Sequence, residues 1–298
     1  MGAANIVAKI EKSGFLIAHV TDLHIGFDED NPHELNVRRL NLVIDQLMAM
    51  RPKPLALIAS GDLTDKGDVD SYRHMVALVG RWDGPVLWAV GNHDDRTNFR
   101  TVLPNLPDDG NGFVQYETEV GGLRVIVLDT LDPGRHGGMM CAKRIAWLEA
   151  RLAEKKRQPT VVVLHHPPVD TGIDWMSALS GERWVRRLEK AIAPAKQVVG
   201  ILAGHVHRNM AASFAGKPLT VVSSTAPPLA LDLDGIDPSH PDERPLILGD
   251  APAFGLHYWN GERLLSHFDI AGPRNVLATY DSNLQPMISH FISERGTG

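Results

Sequence analysis

Histidine, aspartate and asparagine side chains follow directly after five apolar segments of this sequence. These residues are Asp22, His24, Asp62, Asn92, His93, His165, His166, His205 and His207. Imidazole nitrogens and carboxylate or amide oxygens bind divalent transition metals, and histidine is also the usual acid or base near neutral pH. The chain has 14 histidines and a single cysteine, Cys141, so a metal site here must be built from nitrogen and oxygen ligands.

Each of these short motifs is weak evidence by itself. An isolated Asp-x-His or Gly-Asp after a strand is more often a turn or a helix cap than a pair of ligands. The Gly-Asn-His-Asp run that begins at Gly91 is stronger, because its polar side chains have no role in a core. The Gly-His-x-His run from Gly204 is also stronger, since alternate residues of an extended segment point to the same side. Their occurrence in this order, each after a strand, favours one common site.

Alternating strands and helices must position these motifs. Apolar strands are predicted just before them, over Phe15–Val20, 55–59, 86–90, 160–164 and Val198–Ala203. Amphipathic helices are predicted between the strands; over 34–50, for example, apolar residues recur at i, i+3, i+4 and i+7. Such near-continuous apolar strands indicate a mainly parallel sheet covered on both faces. Because ligands bind beyond the carboxyl ends of parallel strands, the motifs are expected to converge at one edge.

The second half of the chain contains β structure of another kind. Segments 113–120 and 123–129 alternate between apolar and polar residues and are joined by two glycines, as in a hairpin. A helix and three further strands are predicted over 142–157, 219–223, 254–259 and 264–268. The segment 232–250 is rich in Asp, Pro and Gly and is expected to be a long surface loop.

Seven of the motif residues form a possible ligand set for two divalent metal ions: Asp22, His24, Asp62, Asn92, His165, His205 and His207. Such nitrogen and oxygen ligands suit Mn, Fe, Zn or Co and do not decide among them. A bridging carboxylate, here Asp62, would hold the ions about 3.5–4 Å apart, and a water between them would lose its proton near neutral pH. Two dications, two aspartates and a hydroxide leave about one positive charge, which favours an anionic substrate.

The order Asp-x-His, Gly-Asp, Gly-Asn-His-Asp, His and Gly-His-x-His resembles that of the calcineurin-like metallophosphoesterase superfamily. The runs that begin at Gly91, His165 and Gly204 resemble its class III cyclic nucleotide phosphodiesterases and their glycerophosphodiesterase relatives. The resemblance implies an α/β (α+β) fold, a four-layer αββα sandwich of the metallophosphoesterase type. We expect a single domain over 1–271 and a C-terminal tail over 272–298 that is a candidate oligomerisation segment, and hence a homo-oligomer.

The resemblance also implies how the ligands divide between the metals. One metal is held by Asp22, His24, Asp62 and His207, and the other by Asp62, Asn92, His165 and His205. The implied catalytic residues are His93, beside the metals, and Asp62, in an in-line attack by a metal-bridging hydroxide. The implied substrate-binding residues are His93, Asn92 and His136, the last on a glycine-rich loop.

The resulting hypothesis is a dinuclear-metal-dependent phosphodiesterase that hydrolyses small phosphodiesters, with 3′,5′-cyclic nucleotides favoured. The alternatives are a glycerophosphodiesterase or a broad-specificity enzyme for phosphomonoesters and diesters. A non-catalytic scaffold is a remote alternative, because all seven ligands and His93 are present. An amidohydrolase barrel would place His-x-His after the first strand, whereas here that motif comes late.

Length, charge and hydropathy exclude other function classes. The 298 residues are enough for one large domain or roughly two smaller ones. The net charge of −6 offers no basic excess for gripping a nucleic acid polymer. The longest apolar runs have the length of strands, far short of a membrane span, and the N-terminus lacks the pattern of a secretory signal. A cytoplasmic protein without a membrane partner is therefore expected.

Overall fold

Two β-sheets lie face to face in the computed structural model, which describes residues 14–28 and 30–295. The first sheet has the strand order β11-β10-β1-β2-β3, with β1 (Phe15–Val20), β2 (Ala56–Ser60), β3 (Val86–Ala89), β10 (Ala253–Trp259) and β11 (Leu264–Ile270). The second has the order β4-β5-β6-β7-β9-β8, with β4 (Tyr116–Val120), β5 (Leu123–Val127), β6 (Thr160–Val163), β7 (Val198–Ala203), β8 (Met210–Phe214) and β9 (Lys217–Val221).

Helices cover the outer face of each sheet. The first sheet is covered by α1 (Leu35–Ala49), α2 (Val69–Val79) and α3 (Arg96–Val102). The second is covered by α4 (Ala142–Glu154) and α5 (Arg183–Ile192), and a short 3₁₀ turn spans Asp174–Met176. A last helix, α6 (Gln285–Ser293), has no buried residue. The predicted four-layer αββα sandwich is thus confirmed.

Side-chain alternation along the strands builds this layering. In β2, Leu57 and Ala59 pack toward the helices, whereas Ala56 and Ile58 pack toward the second sheet. Successive side chains of a strand point to opposite faces, so a strand buried on both faces is apolar throughout. The continuous apolar runs of the sequence therefore come from strands that contribute to two cores at once.

The structure corrects the sequence-based picture in three places. The parallel strands belong to two mixed sheets rather than one, with antiparallel pairing of β1 to β10, β10 to β11, β4 to β5 and β8 to β9. Strand β8 was not predicted, because its small, half-exposed residues give no clear apolar alternation. The tail contains α6, although no helical period was recognised there.

The segment 232–250 is a long loop, as predicted, with an isolated antiparallel bridge between Leu229 and Ile247 at its base.

None of the helices in the described residues combines the length and the hydrophobicity that a membrane span requires.

Two histidines lie inside the first sheet, away from the motifs. His19 on β1 and His257 on β10 are fully buried, with His19 Nδ1 3.0 Å from His257 Nε2. Their outer nitrogens contact Ser60 Oγ at 2.8 Å and Ser266 Oγ at 2.8 Å. Burial lowers the pKa of His257 to about 3, and burial together with His257 lowers the pKa of His19 well below its ordinary value. Both side chains are therefore neutral parts of the core.

These buried histidines should make the fold sensitive to acid. The unfolded chain protonates His257 near pH 6.5 and the folded chain only near pH 3, so unfolding takes up a proton between these values and stability falls as the pH drops. In urea titrations of the metal-free protein, the loss of unfolding free energy between pH 7.5 and 5.0 should be about 2 kcal/mol smaller in His257→Gln than in the wild type. The exposed His33→Gln should match the wild type, and equal losses in all three proteins would contradict this account.

Candidate metal centre

The predicted motif residues come together where strands of both sheets end. Asp22 and His24 follow β1, Asp62 follows β2, and Asn92 and His93 follow β3. From the second sheet, His165 follows β6, and His205 and His207 follow β7. Most of these side chains, together with His136, line a cavity of about 630 Å³, and Asp22 and His165 are fully buried.

Asp62 occupies the centre of the cluster. Its Oδ2 atom lies 3.8 Å from Nε2 of His24 and 3.2 Å from Nε2 of His165. These two imidazoles come from different sheets, so one carboxylate oxygen lies close to a candidate ligand of each sheet. This is the position that a bridging carboxylate requires.

On one side of Asp62, a ligand group is formed by Asp22, His24 and His207, whose ligand atoms lie within 4.8 Å of one another. His207 Nε2 is 3.3 Å from Asp22 Oδ1 and 3.2 Å from His24 Nε2. On the other side, His165, His166 and His205 form a second group with the same spacing. The cluster could therefore hold two ions.

The hydrogen bonds on the outer side of each imidazole show which nitrogen faces the centre. His165 Nδ1 is 2.9 Å from the Ser60 carbonyl oxygen, and His207 Nδ1 is 3.1 Å from the Pro227 carbonyl oxygen. A carbonyl only accepts, so both Nδ1 atoms donate, and in the neutral imidazole it is Nε2 that presents a lone pair to the centre. Fixing the ligand tautomer in this way is typical of metal-binding histidines.

Unpaired buried atoms indicate that a cation belongs here. Asp22 Oδ1 and His165 Nε2 are buried and make no hydrogen bond of good geometry among the described residues, although His207 Nε2 and Asp62 Oδ2 lie 3.3 Å and 3.2 Å from them. Buried polar atoms are rarely left unpaired, because losing water without gaining a partner costs about 1–3 kcal/mol. The side chains thus fit divalent metals, whose binding would satisfy both atoms.

Electrostatics at the cluster support the same conclusion. Burial alone would raise the pKa of Asp62, but His165, His24 and His93 hold it well below the usual value. Burial alone would lower the pKa of His165, but Asp62 and Asp22 raise it to about 9. Without metal, the two carboxylates therefore draw a proton onto His165, which marks the centre as a site of strong cation affinity.

The backbone is strained at these motif residues. Five of them have positive φ angles although they are not glycine: Asp22 (51°), His24 (47°), Asp62 (47°), His205 (72°) and His207 (53°). Such conformations are uncommon for residues with a Cβ atom and persist only where the surrounding structure enforces them. They turn the chain sharply after each strand, and so direct the side chains into the cluster.

Two motif glycines allow the loops to approach one another. A Cβ atom on Gly91 would lie 2.2 Å from Asp62 Oδ1, and one on Gly204 would lie 1.9 Å from Thr21 Oγ1. No side chain fits at either position. The glycines of Gly-Asn-His-Asp and Gly-His-x-His thus keep neighbouring strand ends in contact.

The family is established by comparison with known proteins. Residues 15–209 match the model of the calcineurin-like phosphoesterase family. The chain belongs to this family. The family assignment made from the motifs is thereby confirmed.

Curated relatives of this phosphoesterase carry phosphodiesterase names. A probable cyclic nucleotide phosphodiesterase of Rhodococcus erythropolis is 36% identical over 73% of this chain and 73% of its own length. A cAMP/cGMP dual specificity phosphodiesterase of Mycobacterium tuberculosis is 32% identical over 73% of this chain and 70% of its own. The glycerophosphodiester phosphodiesterase GpdQ of Enterobacter lignolyticus is 28% identical over 85% of this chain and 90% of its own.

The fold recurs in solved structures of low sequence identity. A dimetal phosphatase of Danio rerio superposes with a TM-score of 0.64 at 13% identity, over 85% of this chain and 95% of its own. A purple acid phosphatase of yellow lupin superposes with a TM-score of 0.60 at 14% identity, over 90% of this chain and 58% of its own. The two open sheets exclude the amidohydrolase barrel.

His93 and a residue missed from the sequence, Asp65, lie beside the phosphoesterase's cluster. The Asp65 carboxylate is 3.1 Å from Nδ1 of His24, and its backbone carbonyl accepts a hydrogen bond of 2.7 Å from Nδ1 of His93. Asp65 thus orients one ligand and His93 together. The second aspartate of the segment Gly61-Asp62-x-x-Asp65 was the available signal, but its partners are not evident from sequence.

Asp94 holds the loops together. Its carboxylate accepts hydrogen bonds from the Gly91 amide at 2.8 Å, the Leu63 amide at 3.2 Å and the Tyr72 hydroxyl at 2.9 Å. It thereby ties the loop after β2 to the loop after β3. The neighbouring Asp95 caps α3, with its side chain accepting from the Asn98 amide.

His166 and His136 adjoin the cluster. His166 Nε2 is 3.1 Å from Asn92 Oδ1 and 3.2 Å from the His136 carbonyl oxygen, and its Nδ1 is 2.8 Å from Thr130 Oγ1. Because the His136 carbonyl only accepts, Nε2 donates and Nδ1 accepts from the hydroxyl. The His136 ring lies 4.7 Å from the His205 ring. Both residues are placed to support Asn92 and His205.

The arginines near the motifs have partners elsewhere. Arg96 makes two hydrogen bonds of 2.6 Å with the Asp129 carboxylate, and Arg100 pairs with Asp108 at 2.6 Å. Arg208 donates to the Leu229 carbonyl. These contacts indicate that the three arginines stabilise the fold rather than bind a phosphate.

Proposed function

We propose that this phosphoesterase is a dinuclear-metal-dependent phosphodiesterase that acts on small phosphodiesters, with 3′,5′-cyclic nucleotides favoured. The observation that carries the proposal is the position of Asp62 Oδ2 between Nε2 of His24 and Nε2 of His165. The names of the relatives from Rhodococcus erythropolis and Mycobacterium tuberculosis support the choice of substrate.

The proposed ligand assignment adds Asp62 to both groups and takes Asn92 in place of His166 in the second. One ion takes Asp22, His24, Asp62 and His207, and the other takes Asp62, Asn92, His165 and His205. Two divalent cations, Mn, Fe, Zn or Co, would neutralise charge on the phosphoryl oxygens and lower the pKa of an attacking water. Five of the seven ligands are buried, namely Asp22, His24, Asp62, His165 and His205, which limits the access of bulk water to the ions.

His93 is proposed as the residue that handles the proton of the leaving group. Its Nδ1 is fixed as a donor by the Asp65 carbonyl, so Nε2 is the atom that exchanges a proton. The side chain lines the cavity and is 38% exposed, which leaves it accessible to a bound diester. With attack in line with the leaving alkoxide, a proton at Nε2 stabilises the departing oxygen. Asn92 and His136 are proposed to contact the substrate as well.

Hydrolysis of glycerophosphodiesters is the second candidate activity. It is supported by the glycerophosphodiester phosphodiesterase of Enterobacter lignolyticus, which matches a larger share of this chain than the cyclic nucleotide relatives do. A broad activity toward monoesters and diesters is a further alternative.

We further propose a cytoplasmic homo-oligomer with one domain over 1–271 and an association segment in the tail. Helix α6 supports this, because it buries none of its residues and exposes Phe291 and Ile292.

The small cavity and the net negative charge argue against a nucleic acid polymer as substrate.

A panel of substrates tests the proposal on protein reconstituted separately with Mn, Fe, Zn and Co. The products of 3′,5′-cAMP, 2′,3′-cAMP, a glycerophosphodiester, and aryl monoesters and diesters are resolved and quantified. We expect diesters to be hydrolysed, with 3′,5′-cAMP having the highest kcat/KM. A preference for the glycerophosphodiester would select the second activity, and absence of hydrolysis with two bound metals would favour a non-catalytic scaffold.

A further inference from the structure

The cavity above the metal centre has an apolar wall that the ligands and His93 do not account for. We define the apolar wall as Phe27, Leu35, Trp175 and Ile247, which all line the cavity. These side chains are large and 42–68% exposed. Exposed apolar groups at the mouth of a site mark the place where a ligand is bound.

Phe27 is held in position by its neighbours. The Gly26 and Asp28 amides each donate a 2.7 Å hydrogen bond to the carboxylate of Glu34, which is buried. The ring of Phe27 is nevertheless 68% exposed. A backbone anchored on both sides of an exposed ring presents that ring to a ligand with little further loss of entropy.

Trp175 connects the apolar wall to the metal centre. Its ring lies 6.3 Å from the ring of His136, inclined by 31°, and the His136 ring lies 4.7 Å from that of the proposed ligand His205. Ile247 is fixed to the same region through its bridge to Leu229. A group attached to a phosphate on the metals would therefore extend along a row of rings.

This part of the cavity has no excess of positive charge that would attract a second anionic group. Away from the cluster, the charged side chains among the described lining residues are Asp28, Glu34 and Arg38. Glu34 is engaged with two backbone amides, so the remaining charges balance. An uncharged, flat organic group buries the most apolar surface here, whereas a glycerol group would leave the rings uncovered.

We propose that the apolar wall binds the nucleobase of a cyclic nucleotide and thereby selects nucleotides over glycerol diesters. This inference rests on the proposed phosphodiesterase function. Phe27 and Trp175 contribute by stacking, and Leu35 and Ile247 by covering the edges of the base. Truncating one stacking ring removes an interaction that the glycerol group does not make.

The experiment compares wild type, Phe27→Ala and Trp175→Ala in the metal-loaded protein. We expect the ratio of kcat/KM for 3′,5′-cAMP to that for glycerophosphoethanolamine to fall about tenfold in both variants. Phe27→Tyr, which keeps the ring, should restore the ratio. Phe268→Ala removes another exposed phenylalanine, on β11, and should match the wild type.

Titration with adenosine separates this inference from the proposed function. Adenosine has no phosphate, and its affinity, measured by calorimetry, should fall about tenfold in Phe27→Ala and Trp175→Ala. If the wild type hydrolyses no diester, the proposed function fails. The adenosine titration then tests by itself whether the apolar wall binds a nucleobase. Ratios and adenosine affinities within about twofold of the wild type in both variants would overturn the inference.

Discussion

Replacing Asp62 by asparagine is expected to abolish binding of two metals and to lower diester hydrolysis by about three orders of magnitude. Asp62 Oδ2 lies between His24 and His165, so both ions would lose a ligand and the negative charge that separates them. Several kcal/mol of transition-state stabilisation depend on the two cations, and each 1.36 kcal/mol changes the rate tenfold.

Asparagine is the informative replacement at this position. Its side chain has the same shape and can still accept the 2.9 Å hydrogen bond that Asp62 Oδ1 receives from the His93 amide, so the loop should persist. Metal content is measured by elemental analysis after gel filtration, with folding checked by circular dichroism. Asp70→Asn changes an exposed aspartate of α2 and serves as control. Two metals per chain in Asp62→Asn would refute the bridging assignment.

His93→Ala is expected to lower kcat by about 10²–10³ while two metals remain bound. In the proposed assignment His93 is not a ligand, and its Nδ1 is bonded to the Asp65 carbonyl rather than to the cluster. Metal analysis of the variant separates this effect from that of a lost ligand. His74→Ala, on α2, provides a histidine control away from the cavity lining.

The leaving group of the substrate reveals which role His93 has. A nitrophenolate is a weak base and can leave as the anion, whereas the sugar alkoxide of a cyclic nucleotide is a strong base and needs a proton to leave. If Nε2 supplies it, His93→Ala should lose less than about tenfold on a nitrophenyl diester and at least about 10² on 3′,5′-cAMP. Equal losses on both substrates would assign His93 to charge stabilisation on the phosphoryl group, and no loss on either would remove it from the mechanism.

The position of the site could be predicted from sequence because strand ends are local features. The apolar segment before Asp62 and the glycine at Gly91 are visible without any tertiary contact, and parallel strands bring their ends to one edge. The division into two sheets was less visible. Parallel β2 and β6 are both buried throughout and almost entirely apolar, so the hydrophobic period alone does not tell which sheet contains each strand.

Residues that act through tertiary contacts were missed. Asp65 follows a recognised motif, but its bonds to His24 and His93 depend on how two loops pack. Phe27 and Trp175 belong to segments without motifs, and only the folded structure places both in the lining of one cavity. Asp94 ends the recognised Gly-Asn-His-Asp run, but its bonds to amides of two loops depend on how those loops pack.

The sequence by itself determined the residue types of the candidate ligands, their order and their location after strands, since these follow from composition and local hydrophobic pattern. Only the tertiary structure decided that His24 and His207, 183 residues apart, place their nitrogens within 3.2 Å, and that Asp62 lies between the two ligand groups. The physical reason is that such distances depend on the packing of two sheets and on left-handed turns at the ligands, which the surrounding fold enforces.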